Sequence, residues 1–214
     1  MKLRALIAAA LVTFAVTGAA MADDESDALA ARGKAKRYSL KTTDPKNSID
    51  TGGAAILVNA PIADVRRMVT AYKDYAKFIK PFEQSRLISR KNGVSEVYLE
   101  VPILNGAAKI WAVVNISSPE KDGSGDNAGE KIVARYSGKG NVDDFRAVWR
   151  LRSIDDDHTV VKLEILVDPK IPVPASMITP ELSYAADKAV TAVRDRAEGR
   201  TDRDGKRPSN VAKR

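Results

Sequence analysis

The stretch FRAVWRLRSIDDDHTVVKLEILV, residues 145–167, decides the fold because it encodes two strands and the turn between them. Over residues 145–152 apolar side chains alternate with arginines except at Val148, a period of two that is typical of a strand with one buried face. The Asp-Asp-Asp-His sequence of residues 155–158 predicts a turn, and the alternation resumes over residues 159–167. We therefore predict an antiparallel hairpin with one apolar face and one face in water.

Similar patterns come before this hairpin. We predict further strands where apolar residues alternate or form a short run bounded by turn residues: 54–58, 84–91, 94–101, 108–116 and 131–137. Asn92-Gly93, between two of these strands, is a strong signal for a two-residue hairpin turn. Residues 120–129, rich in Gly, Asp and Ser, are predicted to form a loop.

Three segments have the apolar spacing of helices. A helix is predicted after Pro61, a second short one over residues 74–79, and a long one over residues 174–197. The last helix is amphipathic and long enough to cover the apolar face of the sheet. We therefore predict an α+β fold of the helix-grip type, a curved antiparallel β-sheet wrapped around a long C-terminal α-helix, which can enclose a cavity.

The N-terminus has the features of a signal peptide, residues 1–22. Lys2 and Arg4 precede an apolar stretch, and the segment ends in the small-x-small sequence Ala-Met-Ala. We expect a cleaved signal peptide and a periplasmic or secreted protein; an uncleaved anchor is the alternative. A mobile polar leader, residues 23–45, with one strand at 36–41, is predicted to follow.

Composition excludes several kinds of site. The 214 residues contain no cysteine and one histidine, which excludes disulfides, zinc-thiolate sites and multi-histidine metal sites. We expect no cofactor and no metal. The formal net charge of +7 comes mainly from a basic disordered tail, residues 199–214, with six basic and two acidic residues. Because the predicted domain, residues 46–198, is nearly neutral, we expect no nucleic-acid binding, but weak contact of the tail with anionic lipid head groups.

The inward faces of the predicted strands and of the last helix supply the candidate ligand-binding residues. These are Val97, Leu99, Val101, Ile110, Ala112, Val114, Tyr136, Ala147, Trp149, Leu151, Leu163, Ile165, Ile178 and Leu182. They either fill a core or line a cavity, and small side chains such as Ala112, Ala134 and Ala147 favour remaining space. Tyr136 and Trp149 have polar atoms that could orient a ligand.

Other conspicuous residues have simpler interpretations. His158 and the acidic turn before it lack the partners of a catalytic or calcium site. Arg146, Arg150 and Arg152 share an outward strand face, where cross-strand ion pairs are expected. Trp111 has the opposite parity from its apolar neighbours, so either it is exposed or the predicted register is wrong by one residue.

The order of these segments, with several local sequences, resembles the START/SRPBCC superfamily, most closely its polyketide-cyclase-like and coenzyme-Q-binding-protein-like branch. The sequences that carry the resemblance are VNAP at 58–61, YKDYAKF at 72–78, WRL at 149–151, PVP at 172–174 and AVRDRA at 192–197. The resemblance covers about residues 50–198 and implies a cavity for a hydrophobic ligand, such as a lipid, quinone or isoprenoid-like molecule.

The resemblance carries over no catalytic residue, because the branch has no universal catalytic motif. We expect a binding protein. Two alternatives remain: a cyclase- or hydrolase-type enzyme that uses the same cavity, and a non-catalytic interaction domain with a filled core. The enzyme would need an acid or base on the inward face, where Tyr136 is the titratable residue of the predicted strands. The interaction domain would act through exposed Tyr98, Trp111 and the arginine strand.

Overall fold

The computed structural model of the protein describes residues 18–43, 47–103, 106, 108–125 and 128–200. Among these residues the strands are β1 Lys36–Leu40, β2 Thr51–Val58, β3 Gln84–Lys91, β4 Val94–Ile103, β5 Ala108–Ser117, β6 Glu120–Asp122, β7 Gly129–Gly140, β8 Val142–Ser153 and β9 Thr159–Pro169. The helices are α1 Gly18–Arg32, α2 Ile62–Val69, α3 Tyr75–Phe78 and α4 Ala175–Ala197, and a 3-10 turn, Tyr72–Asp74, leads into α3. None of these helices is both long and apolar enough to cross a membrane.

The strands form a single antiparallel sheet in the order β1-β2-β9-β8-β7-β5-β4-β3, and β6 pairs with β7 beside that path. Helix α4 packs on the inner face of the sheet, mainly against β2 and β9. Its buried residues repeat at helical spacing: Leu182, Ala186, Ala189, Val190 and Val193. This arrangement confirms the predicted α+β helix-grip fold.

The segment from α2 to α3 covers the rest of the inner face. Val65 and Val69 of α2 are fully buried, and Tyr75 contacts the rings of Tyr72 and Phe78 edge-on at 5.9 Å. A charged pair, Arg66 with Glu130, joins the other side of α2 to the start of β7. The apolar side chains of the two helical layers and of the inner sheet face therefore form one continuous core.

Two glycines expected to bound β2 lie inside it. At Gly52 a Cβ atom would overlap the backbone of α4 at Leu182 and Ser183, and at Gly53 it would overlap the ring of Tyr38. These positions lack side chains because α4 crosses the strand closely on one face and Tyr38 covers it on the other. The strand was predicted to begin at residue 54, whereas β2 begins at Thr51 and includes both glycines.

Two segments differ from their predicted form. The predicted leader contains strand β1, as expected, but its residues 23–32 belong to helix α1, which begins at Gly18, instead of forming a mobile chain. The predicted loop at 120–129 contains the short strand β6. Most of the signal peptide, residues 1–17, and most of the basic tail, residues 201–214, lie outside the described residues, so their predictions stand as made.

Candidate functional site

The predicted inward residues lie on the inner side of the grip. Nine of them are buried: Val97, Leu99, Ala112, Val114, Ala147, Trp149, Leu151, Leu163 and Leu182. The other five are only half-buried: Val101, Ile110, Tyr136, Ile165 and Ile178. The two-residue period therefore predicted which side chains turn inward, and the structure separates them into a closed group and an accessible group.

The five half-buried residues collect at one end of the grip, which we call the open end. Val101 and Ile110 are directly paired near the end of β4 and the start of β5. Ile165 pairs with Gly52, the point where α4 crosses β2, and Ile178 lies one turn earlier in α4. Met177, beside it, is 56% exposed. Apolar surface thus remains in contact with solvent where α4 begins.

A row of side chains leads inward from the open end. Ile165 pairs with Ala147, Ala147 with Ala134, and Ala134 with Ile116 across neighbouring strands. The last three keep 5–7% of their surface accessible, whereas Val97 and Val114 keep none. Two of these residues are alanines, whose side chains take up little volume, and we call this line of residues the alanine row.

The indole of Trp149 is not free to orient a ligand. Its N–H donates a hydrogen bond to the hydroxyl of Tyr75, which in turn donates to the backbone carbonyl of Val69. Burial raises the pKa of Tyr75 well above its usual value, so this phenol stays protonated. The chain of two hydrogen bonds ties the start of α3 and the end of α2 to β8, a structural role that the sequence analysis missed.

The other phenols of the inner side are less constrained. Tyr136 donates a long hydrogen bond of 3.3 Å to the carbonyl of Gly140. The side chain of Tyr72 is buried, yet its hydroxyl makes no hydrogen bond with any described residue. Burial raises the pKa of Tyr72 to about 12, while the charge of Arg90 lowers it. At neutral pH Tyr72 is therefore a hydrogen-bond donor and not a base.

The buried carboxylates of the described residues are Asp50 and Glu100. Asp50 accepts hydrogen bonds from Lys41 Nζ at 2.7 Å and from the amide of Thr42, which hold its pKa below the usual range. Glu100 turns to the outer face, where the hydroxyl of Tyr98 donates to it at 2.6 Å and lowers its pKa. Both groups are therefore ionised and engaged in these bonds at neutral pH.

Two adjoining clefts, of 170 and 420 Å³, lie on the opposite, outer face of the sheet beside α1. Glu25, Arg150 and Lys162 line both clefts. Glu25 binds Lys162 at 2.6 Å, and Arg150 binds Glu164 at 2.6 Å and Asp122 at 3.1 Å. These polar clefts have no counterpart in the sequence analysis, which expected a single apolar cavity under α4.

The remaining candidates are surface features. Trp111 is exposed on the outer face and stacks on Tyr98 with ring centres 5.8 Å apart, so the predicted register is correct and the residue points outward. Arg150 makes the expected cross-strand pair with Glu164. His158 contacts only its own turn, with Nδ1 2.8 Å from Asp155. In the described parts of the chain no cluster of three or more metal-ligating side chains forms a site.

Residues 58–194 match the family described as polyketide cyclase / dehydrase and lipid transport. The chain belongs to this family. This family match confirms the predicted superfamily resemblance, and the fold agrees with it. No curated protein matches the chain by sequence.

Solved structures share the fold at low sequence identity. The STAR-related lipid transfer protein of Xanthomonas axonopodis is 13% identical with a TM-score of 0.63, over 77% of this chain and 93% of the other. Human STARD10 is 11% identical with a TM-score of 0.61, over 77% and 69%. The Zhui aromatase/cyclase of Streptomyces is 16% identical with a TM-score of 0.51, over 69% and 93%. Because a lipid transfer protein and an aromatase/cyclase share the fold, the fold does not select between binding and catalysis.

Proposed function

We propose that the protein is exported and, after removal of residues 1–22, holds a hydrophobic ligand between the sheet and α4. The ligand is a lipid, quinone or isoprenoid-like molecule, and the mechanism is sequestration: burial of apolar surface supplies the affinity. The observation that carries the proposal is the accessible apolar surface at the open end, continuous with the alanine row. The matched family, which includes lipid transport, supports it.

Entry of the ligand is controlled by the start of α4 and by residues 73–82. In the structure Phe82 is half-buried and packs on the ring of Tyr75, with centres 5.5 Å apart. Ala175 and Ile178, in the first turn of α4, are also only half-buried against the core. A small outward movement of these two segments would open the inner face without disturbing the pairing of the strands.

A competition assay with an uncharged apolar dye, N-phenyl-1-naphthylamine, tests the proposal. The mature protein is expected to bind the dye saturably, at about one molecule per chain, and long-chain lipids are expected to displace it. Ile178→Asp and Ile110→Asp place a charge at the open end, so each is expected to weaken binding by about tenfold or more. Ile88→Asp is the matched control, because Ile88 is 53% exposed on strand β3.

Dye binding that is not saturable, or that falls equally in all three variants, would contradict the proposal. Circular dichroism of each variant establishes first that the fold is intact. The location is tested separately: the protein is expected in the envelope fraction of its native cell, with the basic tail contributing a membrane association that weakens as salt is added.

A further inference from the structure

We propose that the edge of the sheet at β3, together with the helical segment packed against it, docks on an anionic lipid surface. This surface, which we call the basic edge, comprises residues 70–95 and lies outside the grip. The inference goes beyond the proposed function, because it concerns where the protein sits and does not depend on what the grip holds. Three observations support it: the charge of the segment, its exposed apolar side chains and the irregular form of β3.

The first observation is the distribution of charge along the chain. Residues 70–95 contain six basic and two acidic residues, a formal net charge of +4. Residues 23–69 and 96–198 together contain 21 basic and 24 acidic residues, a formal net charge of −3. The positive charge of the fold is therefore concentrated in the basic edge, which attracts an anionic partner while the rest of the fold does not.

The acidic side chains of the basic edge leave most of its cations unpaired. Asp74 binds Lys77 at 2.7 Å, and Glu83 binds Lys109 at 2.7 Å. Within the part of the chain that the structure describes, no carboxylate lies within ion-pair distance of the other five cations. All five are exposed: Lys73, Lys80, Arg86, Arg90 and Lys91.

The helical segment and β3 form one continuous surface. β3 is the last strand of the sheet, so one of its sides has no neighbouring strand. The 3-10 turn and α3 pack on β3, and the amide of Ala76 in α3 donates a hydrogen bond to Ser85 Oγ of β3 at 3.0 Å. The cations of both elements therefore belong to the same edge of the molecule.

The second observation is a group of exposed apolar side chains on the β3–β4 hairpin. Leu87, Ile88 and Val94 are 39%, 53% and 40% exposed, and they are three of the seven large apolar side chains exposed among the described residues. Val94 pairs with Lys91, roughly 13 Å along β3 from Leu87. Apolar side chains among unpaired cations suit a membrane interface, where the former enter the head-group layer and the latter contact lipid phosphates.

The third observation is the irregular form of β3, which disfavours another strand as the occupant of this edge. Ile88 has no partner on β4, because the register shifts between Leu87 and Ser89. Such a bulge interrupts the row of backbone groups with which a further strand would pair. Pairing with β3 of a second copy would also bring Arg90 and Lys91 of both chains together, which costs free energy. A lipid surface requires no regular ladder and supplies the missing negative charge.

Co-sedimentation with vesicles tests the inference on the mature protein with its basic tail intact. The wild-type protein is expected to bind vesicles of phosphatidylcholine and phosphatidylglycerol in equal parts about tenfold more tightly than vesicles of phosphatidylcholine alone, and less tightly as salt is added. Lys73→Glu combined with Lys91→Glu is expected to weaken binding to the anionic vesicles by about tenfold or more. Ile88→Ser is expected to weaken it by about threefold.

Each variant has a matched control at the opposite edge of the sheet, where β1 is the first strand. Lys34→Glu combined with Lys36→Glu makes the same change of charge at two exposed lysines, and Leu40→Ser replaces an exposed apolar side chain of β1. Each control is expected to change binding to the anionic vesicles by less than about twofold. Circular dichroism establishes first that every variant is folded.

Equal losses in the charge variants at the two edges would show that net charge or the tail drives binding, and would overturn the inference. Equal binding to both kinds of vesicle, or binding to neither, would overturn it as well. A dimer that forms without vesicles and is lost in Ile88→Ser would show that a second copy covers the edge, which also contradicts the inference. Dye binding in the grip is measured without vesicles, so each of these outcomes leaves the proposed ligand binding standing.

Discussion

Single side chains hold the helical segment α2–α3 on the sheet, and Tyr75 contributes most to this attachment. Tyr75→Phe removes both the donor to Val69 and the acceptor for the Trp149 indole, leaving two buried groups unpaired. We expect the free energy of unfolding to fall by about 1–3 kcal/mol, measured by urea denaturation. Tyr72→Phe is the control: the phenol it replaces has no partner among the described residues, so little or no loss is expected.

We expect Asp168, in strand β9, to make the stability of the fold depend on pH. Burial, and after it the charges of Asp143 and Asp144, raise the pKa of Asp168 above its usual value. Above both its folded and unfolded pKa the carboxylate is charged in both states and destabilises the fold; below both it is neutral and the penalty disappears.

Asp168→Asn is therefore expected to raise the thermal midpoint at pH 7 by roughly 1–3 °C. The gain is expected to shrink as the pH falls below the ordinary carboxyl range of about 4. Thermal unfolding followed by circular dichroism at both pH values measures this. Asp157→Asn, at the exposed hairpin tip, is the control, and an equal gain at low pH would contradict the explanation.

At the scale of single residues, the sequence predicted which side chains of the site turn inward. It did not predict the hydrogen bonds among them. The parity of each strand determined which residues turn inward. Trp111 points outward, which is one of the two interpretations that the sequence left open. Parity is local, since successive side chains of a strand alternate between faces. The bond between Trp149 and Tyr75 joins residues far apart in the chain, so no local pattern could indicate it.

At the scale of secondary-structure elements, helix α4 and strand β2 approach each other closely at Gly52. Gly52→Ala would place a Cβ against the backbone of Leu182 and Ser183, which cannot turn aside as a side chain can. We expect a loss of about 1–3 kcal/mol in the free energy of unfolding and weaker ligand binding, because α4 shifts. Gly53→Ala is the matched control: the nearest atoms to its added Cβ belong to the ring of Tyr38, a side chain that can turn aside, so it is expected to cost less. Equal losses would show that the crossing of α4 is not the cause.

Helix α1 is the element that the sequence analysis missed. Its attachment depends on Leu29, buried against Ala55 and Val160, and on Glu25, which binds Lys162 at 2.6 Å and Arg152 at 3.5 Å. Its apolar residues are alanines apart from Met21 and Leu29, so its docking depends on the outer face of the sheet rather than on an amphipathic pattern of its own. Such a tertiary requirement is invisible in a local window.

Leu29→Ala is expected to lower the free energy of unfolding by about 2–4 kcal/mol through the cavity it leaves. Leu40→Ala, at an exposed leucine of β1, is expected to change it by less than about 0.5 kcal/mol. Urea denaturation of the mature chain measures both variants. Equal, small effects would mean that α1 is not docked in the mature protein.

For the molecule as a whole, the proposed export would have a structural consequence. Cleavage after Ala22 would leave residues 23–32 of α1, including Glu25 and Leu29, in the mature chain. We expect the protein isolated from its native cell to begin at Asp23, which intact-mass spectrometry determines. The acidic residues at this new end suit the start of a helix. A mass that includes residues 1–22 would contradict cleavage and favour an uncleaved anchor.

The overall architecture was predictable because the order of strands and helices restricts the packing to few solutions: one apolar sheet face requires a cover, and α4 is the longest amphipathic helix. How completely side chains fill the space between α4 and the sheet could not be predicted from the sequence. Whether inward residues close on one another or leave space depends on the distance between α4 and the sheet, which is determined by Gly52 and by the alanine row together.

The most direct test of ligand binding is organic extraction and mass spectrometry of the mature protein purified from the envelope fraction of its native cell. The proposal predicts about one hydrophobic molecule per chain, and its loss in Ile178→Asp but not in Ile88→Asp. An empty extract, repeated after incubation with envelope lipids, would contradict the proposal that the grip holds a hydrophobic ligand.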